Sequence, residues 1–139
     1  MLRNSEIKFN TRGAGDIVDI TDELKNAVLE SEMKSGTVVV FTPSATSGLT
    51  TLEYEPGLLQ DLPQLMEKLV PSDKAYQHDE TWHDGNGFSH LRSALIGPSL
   101  TIPFIDRELT LGTWQQVVFL EFDNRARQRR LAVQITGES

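Results

Sequence analysis

The segment ELTLGTWQQVVFLEFD, residues 108–123, is apolar on both sides of a two-residue repeat. Taken as a strand, it sends Leu109, Leu111, Val117 and Phe119 to one face and Trp114, Val118, Leu120 and Phe122 to the other. A strand with two apolar faces needs cover on both, so the fold must hold it centrally or between layers. Gly112 is where so long a strand would bend. Gln115 and Gln116 interrupt the pattern, and amides so placed must find partners inside the protein, on a ligand or on a neighbouring subunit.

The remaining chain supplies mixed cover. Ile7 to Ile20 reads as one or two short strands around a turn at Gly13 and Gly15. Thr21 can cap a helix running to about Met33, with Asp22 and Glu23 in its first turn and Leu24, Ala27 and Val28 on one face. TVVVF at 37–41 reads as a buried strand, and LTTLEY at 49–54 as a second extended piece. Leu62, Leu65, Met66, Leu69 and Val70 recur at helical spacing, with Asp61 as the cap, Pro63 in the first turn and Pro71 as the stop. Residues 72–89, SDKAYQHDETWHDGNGFS, read as a polar loop long enough to be either disordered or functional. Tyr76, Trp82 and Phe88 within it argue against disorder, and the last two read as packing residues. HLRSALIG is a short helix, and SLTIPF and RLAVQITG are further strands. This alternation predicts an α+β fold with mainly antiparallel strands and about three helices, as one domain spanning residues 1–139.

Composition removes several classes of function. A formal charge of −7 offers no extended basic face to displace counterions from a phosphate backbone, so no nucleic-acid partner is expected. Without cysteine there is no disulfide, thiolate ligand or thiol nucleophile. The opening MLRNSEIKFNTRG has no apolar run suited to a signal segment, and no apolar stretch approaches the ~20 residues of a membrane helix. A cytoplasmic protein without a membrane partner is the expectation. No G-x-G-x-x-G or Walker-type run occurs, so no nucleotide cofactor is expected.

Five groups of residues could carry chemistry. His78, His83 and His90 fall in or just after the polar loop, with Asp79, Asp84, Asn86 and Ser89. Imidazoles and carboxylates bind divalent metals or pass protons near neutral pH, although these spacings match no strict zinc pattern. The GNG run at 85–87 permits a tight turn or a close backbone approach to a ligand. Ser44, Thr46 and Ser47 follow a buried strand, where hydroxyls and amides can cradle an oxyanion or form an ordinary turn. Arg125, Arg127, Arg129 and Arg130 could receive a phosphate, or neutralise Glu121 and Asp123. Glu53 and Glu55 are candidate acid–base or metal carboxylates.

FTPSATSGLTTLEYEPGLLQDL, YQHDETWHDGNGFSHLRSALIGPSLTIPF and ELTLGTWQQVVFLEFDNRARQRR together resemble the YjbQ-like uncharacterised protein family, some members of which are described as secondary thiamine-phosphate synthases. The resemblance covers nearly the whole chain. It implies a compact α+β fold, a homotrimer, and a site built from the polar loop and its histidines that holds a divalent metal ion, zinc or magnesium. The activity it implies joins a pyrimidine pyrophosphate to a thiazole phosphate. His78 and His90 fall on family histidines, Glu53 and Asp61 on acidic positions, and Gln115 on the glutamine after the tryptophan. Two departures matter. Ser44 stands where many members have the histidine of a Pro-His-Thr-Thr-Ala run, and Phe88 where relatives often have another. With fewer imidazoles, a metal held by His78 and His90 would need Glu53, Asp84, a water or a neighbouring subunit to complete its shell. Two readings follow. In one, an enzyme holds phosphate through Ser44, Thr46, Arg125 and Arg127, with His90, His78 and Glu53 doing the chemistry and Gln115 contacting the ligand. In the other, a homotrimer binds a metal or small molecule at the same residues without turnover.

Overall fold

The computed structural model describes all of residues 1–139. The elements run β1 (Leu2–Thr11), β2 (Ile17–Asp19), α1 (Thr21–Glu30), β3 (Ser35–Phe41), β4 (Ser47–Leu52), α2 (Pro56–Leu69), α3 (Gln77–Trp82), α4 (Gly87–Ile96), β5 (Ser99–Ile105), β6 (Glu108–Leu109), β7 (Gln116–Glu121) and β8 (Arg127–Glu138). A five-stranded sheet has the order β1-β8-β3-β5-β6, and a three-stranded sheet has the order β2-β7-β4. Every pairing is antiparallel, so the fold is α+β, as the alternation of short helices and hairpin-like strands predicts.

β7 occupies the middle of the smaller sheet and is covered on both faces. Its Val117 and Phe119 join Leu131, Val133 and Ile135 of β8, Val38 and Val40 of β3, and Leu24 and Val28 of α1 in the larger core. Val118 and Leu120 point the other way, into a second cluster with Met66 of α2, Ile17 and Phe122. Within β7 the two-faced apolar pattern is thus satisfied by a sheet on one side and helices on the other, whereas Trp114, ahead of the strand, is 71% exposed and lacks the expected cover.

Three local expectations are corrected. The segment 108–123 is not one bent strand: β6 ends at Leu109, and a turn in which Gln115 N–H donates to Gly112 O at 3.0 Å carries the chain from the larger sheet to the smaller. Apolar alternation continues through the turn, which is why periodicity alone misses it. α2 starts at Pro56, five residues before Asp61, because Glu55 caps it by accepting from Gly57 N–H at 2.9 Å and Leu58 N–H at 2.6 Å. Pro63 therefore sits inside the helix. The polar segment 72–89 is not an open loop but contains α3 and the first turn of α4. Of its aromatics, Phe88 is buried beneath the Arg92 guanidinium, whereas Trp82 is 70% exposed and does not pack as expected. No helix is long and apolar enough to cross a membrane.

Candidate functional site

Polar residues replace apolar ones where the two sheets end. Along β8, Leu131, Val133 and Ile135 face the core, and two-residue alternation carries the same face back to Arg129 and Arg127. Along β7 the face of Val117 and Phe119 continues to Glu121 and Asp123. These extensions meet. Arg129 Nε donates to Glu121 Oε2 at 2.7 Å, and Nη2 reaches Glu121 Oε1 at 2.5 Å. Glu121 also accepts from the Thr11 hydroxyl at 2.9 Å and from Asp123 N–H at 3.2 Å. A fully buried carboxylate thereby finds a cation and two neutral donors.

Above this pair opens a cleft of about 630 Å³. The loop entering β4 forms one wall with Ser44 and Thr46; Asp84, Asn86 and His90 form the other; Asp123, Asn124, Arg125, Arg127 and Arg129 line the rest. Arg129 Nη1 donates to Ser44 Oγ at 2.8 Å and Nη2 to Thr46 Oγ1 at 2.9 Å. Arg127 lies 3.3 Å from Asp123 Oδ2. A larger depression of about 860 Å³ adjoins it across Asn124, but holds no imidazole, and its Arg12 is paired with Asp16 at 3.3 Å. The candidate residues gather at the smaller cleft.

Asp79 builds the histidine side. Its carboxylate accepts from Tyr76 N–H at 3.0 Å and from Gly87 N–H at 2.9 Å, tying the start of α3 to the start of α4. Those two backbone donors hold its carboxyl below the usual range. Gly87 makes the junction close enough: a Cβ there would lie 2.7 Å from Tyr76 Cβ. Gly85, at φ +67°, turns the chain between the helices. The GNG run thus forms a tight helix junction whose middle residue, Asn86, faces the cleft.

The junction stacks His78 of α3 on His90 of α4, with ring centroids 4.3 Å apart and planes tilted by 38°. Burial and the neighbouring His78 charge lower the His90 pKa, against opposing pulls from Asp84 and Asp123. His78 Nδ1 is buried without a hydrogen-bond partner, 3.9 Å from Asp79 Oδ1 and 3.8 Å from Asp84 Oδ1. Both separations exceed hydrogen-bond length, while one ligand atom from each of these three residues lies within 4.8 Å of the others. An orphaned imidazole nitrogen facing two carboxylates is a donor set that fits a divalent ion. This group contains His78 and Asp84 of the expected ligands, with Asp79 rather than His90 as the third.

Ser44, Thr46, Asp84, His90, Arg125 and Arg127 are therefore brought to one cleft, with His78 stacked behind His90. Glu53 and Gln115 are not. Ser47 pairs with Glu121 and Leu52 with Gln116, so Glu53 and Gln115 lie just beyond the far ends of β4 and β7, about 20 Å along the strands. Gln115 there accepts from Gly112 N–H at 2.8 Å and donates to Thr51 Oγ1 at 3.4 Å, the internal satisfaction open to a strand amide. Glu53 is exposed, and so is His83, which ends α3 at φ 58°. The residue that sequence reading leaves among its neighbours is Arg129, the one deeply buried arginine of the basic cluster. Counting back by twos from Leu131 along β8 would have separated it from Arg130.

The model for the family described as UPF0047 protein YjbQ-like matches residues 5–138. A UPF0047 protein of Archaeoglobus fulgidus is 43% identical over 128 residues, covering 92% of this chain and 97% of the relative. YugU of Bacillus subtilis is 30% identical over 139 residues, covering 99% and 100%. Among solved structures, a YbjQ-like protein of unknown function from Sulfolobus solfataricus superposes with a TM-score of 0.88 at 26% identity, over 99% of this chain and 100% of that one. An uncharacterised YjbQ/UPF0047 protein from Clostridium acetobutylicum gives a TM-score of 0.81 at 34% identity, over 94% and 99%. With a family model spanning both sheets and all four helices, and relatives aligned along almost their full length, the chain belongs to the YjbQ-like UPF0047 family.

Proposed function

We propose that this protein, acting as one domain over residues 1–139, is an enzyme for a phosphate-bearing small molecule, in the manner of a secondary thiamine-phosphate synthase. The observation that carries the reading is the shared cleft, in which Arg125, Arg127, Ser44 and Thr46 face Asp84, Asn86 and His90. A guanidinium pairs with two phosphate oxygens at once, and the hydroxyls offer further donors. In the reaction considered, the bond from the pyrimidine methylene carbon to pyrophosphate breaks as that carbon bonds to the thiazole nitrogen. The charge growing on departing pyrophosphate falls to Arg125 and Arg127. His90, whose pKa is lowered by burial and by His78, is the acid–base group of this scheme.

His78 and Asp84, with Asp79, would hold a divalent ion, zinc or magnesium, whose charge would further neutralise an oxyanion. Glu53 and Gln115 enter this scheme only if the homotrimer that the family resemblance implies brings them from a neighbouring copy. Purified protein given both thiamine precursors and magnesium should form thiamine phosphate, read by its fluorescent oxidation product, and His90→Gln should lower the rate at least tenfold while remaining folded. No product from the wild type would reject the synthase reading. The unpartnered His78 Nδ1 favours a second reading, a metal- or small-molecule-binding homotrimer without turnover. For that version, elemental analysis of tag-free protein should find near-stoichiometric metal, lost in His78→Ala.

A further inference from the structure

Ser44 sits in a hydrogen-bond arrangement that uses up the acceptor capacity of its hydroxyl oxygen. Its oxygen accepts from Arg129 Nη1 at 2.8 Å and from Thr46 N–H at 3.1 Å. Two acceptor sites are all that a hydroxyl oxygen has, so its hydrogen must be donated. The acceptor nearest at hand is Thr46 Oγ1, at a long 3.4 Å. That oxygen already accepts from Arg129 Nη2 at 2.9 Å, and its own hydrogen points to the Asp123 carboxylate at 3.4 Å. Arginine has no acceptor and cannot lose its proton, so the polarity of both contacts is set. Glu121 fixes Arg129 by accepting from Nε and Nη2, and is itself buried outside the cleft lining.

We infer that the Glu121–Arg129 pair is a positioning device that makes Ser44 an obligatory hydrogen-bond donor into the cleft, selecting ligands that present an acceptor-only oxyanion oxygen there. This rests on the reading of the cleft as a phosphate site and refines it. Arg129 is the buried orienting cation; with its charge answered by Glu121 and that of Arg127 shared with Asp123, the exposed Arg125 is the cation least committed within the protein and first to meet the anion. A ligand presenting a donor-only group at that point, such as an ammonium, would meet another donor and bind poorly.

Titration calorimetry with inorganic phosphate tests the inference in wild type, Ser44→Ala, Arg129→Lys and the double variant. Lysine keeps a cation beside Glu121 but cannot bridge Ser44 and Thr46 while holding both carboxylate oxygens. Each single variant is expected to weaken phosphate binding about tenfold or more, as for a lost hydrogen bond to a charged group. The double variant should bind much less weakly than the product of the two single losses, because Arg129 acts mainly through Ser44 and otherwise only through Thr46. Circular dichroism and thermal melts establish that each variant is folded, and Glu121→Gln supplies an independent perturbation of the same pair, expected to weaken binding only when Ser44 is present. Independent, additive losses overturn the inference and leave the phosphate site standing, as does unchanged affinity in Ser44→Ala. A wild type that binds no phosphate overturns the reading of the cleft, and the inference with it.

Discussion

At the scale of the residue, His90 is the group whose environment is most telling. Desolvation and the adjacent His78 both disfavour its imidazolium, and Asp84 and Asp123 only partly compensate. In metal-free protein, the His90 ring protons should titrate in NMR below the ordinary value of 6.5. His78→Gln should move that midpoint upward and Asp84→Asn downward; no change in the first variant would remove His78 as a cause. The linkage has a definite sign. A histidine depressed in the folded state binds fewer protons than in the unfolded chain, so its contribution to stability is whole above about pH 6.5 and declines as pH falls from there toward the folded-state midpoint. The gathering of His78 and His90 is legible in the sequence, because all three histidines of the chain fall between positions 78 and 90. Their stacking is not, because it depends on a helix junction whose geometry no local pattern announces. Arg129 shows the opposite case: the alternation that buries it is plain once β8 is in register, but a run of neighbouring arginines conceals which one turns inward.

At the scale of the element, the junction between α3 and α4 decides whether the site exists. Asp79 satisfies the first backbone donors of both helices, and Gly87 lets Tyr76 approach as closely as those bonds require. Gly87→Ala would force a Cβ to within 2.7 Å of Tyr76 Cβ and 3.2 Å of Asp79 Oδ1. Overpacking of this kind costs about 1–3 kcal/mol, so denaturant unfolding should show a loss in that range, and His78 and His90 resonances should shift together. Alanine tolerated within about 0.5 kcal/mol would show that the junction has slack. The sequence conveys that residues 72–89 are special, since their length and aromatic content fit neither a short connection nor a disordered one. It hides the helix within them, because α3 is a short helix with no buried residue and therefore no apolar stripe to betray it. α2 is misjudged at its start for a related reason. Its cap, Glu55, is not one of the usual capping types, so Asp61 looks the better candidate until the backbone is seen.

At the scale of the whole molecule, β7 divides two cores of unequal strength. The larger joins both sheets and α1, whereas the smaller attaches α2 and part of α4 to the outer face of β7. These should open separately, since helices resting on a small apolar patch can detach while the sheets stay paired. α4 has additional ties to the smaller sheet and the turn after it: Ser89 donates to Phe122 O and Ser93 to Ser47 O at 2.6 Å. α2 contributes Met66, 3% exposed, as its one buried anchor. Met66→Ala should therefore cost about 2–5 kcal/mol, felt first in α2. Hydrogen exchange of the variant should show the amides of α2 losing protection most, those of α4 less, and those of β3 and β8 least. Leu131→Ala, in the larger core, should instead lower protection across both sheets and helices alike. The contrast bears on function because the cleft spans the divide: Arg127 and Arg129 belong to the larger sheet, while His90 rides on α4. Local loosening of α2 would then disturb the imidazoles only through Arg92 and the α3 junction, leaving the basic wall in place. Equal loss of protection in all elements of Met66→Ala would mean that the two cores unfold as one, and that the histidine and arginine sides of the cleft are held by a single cooperative unit.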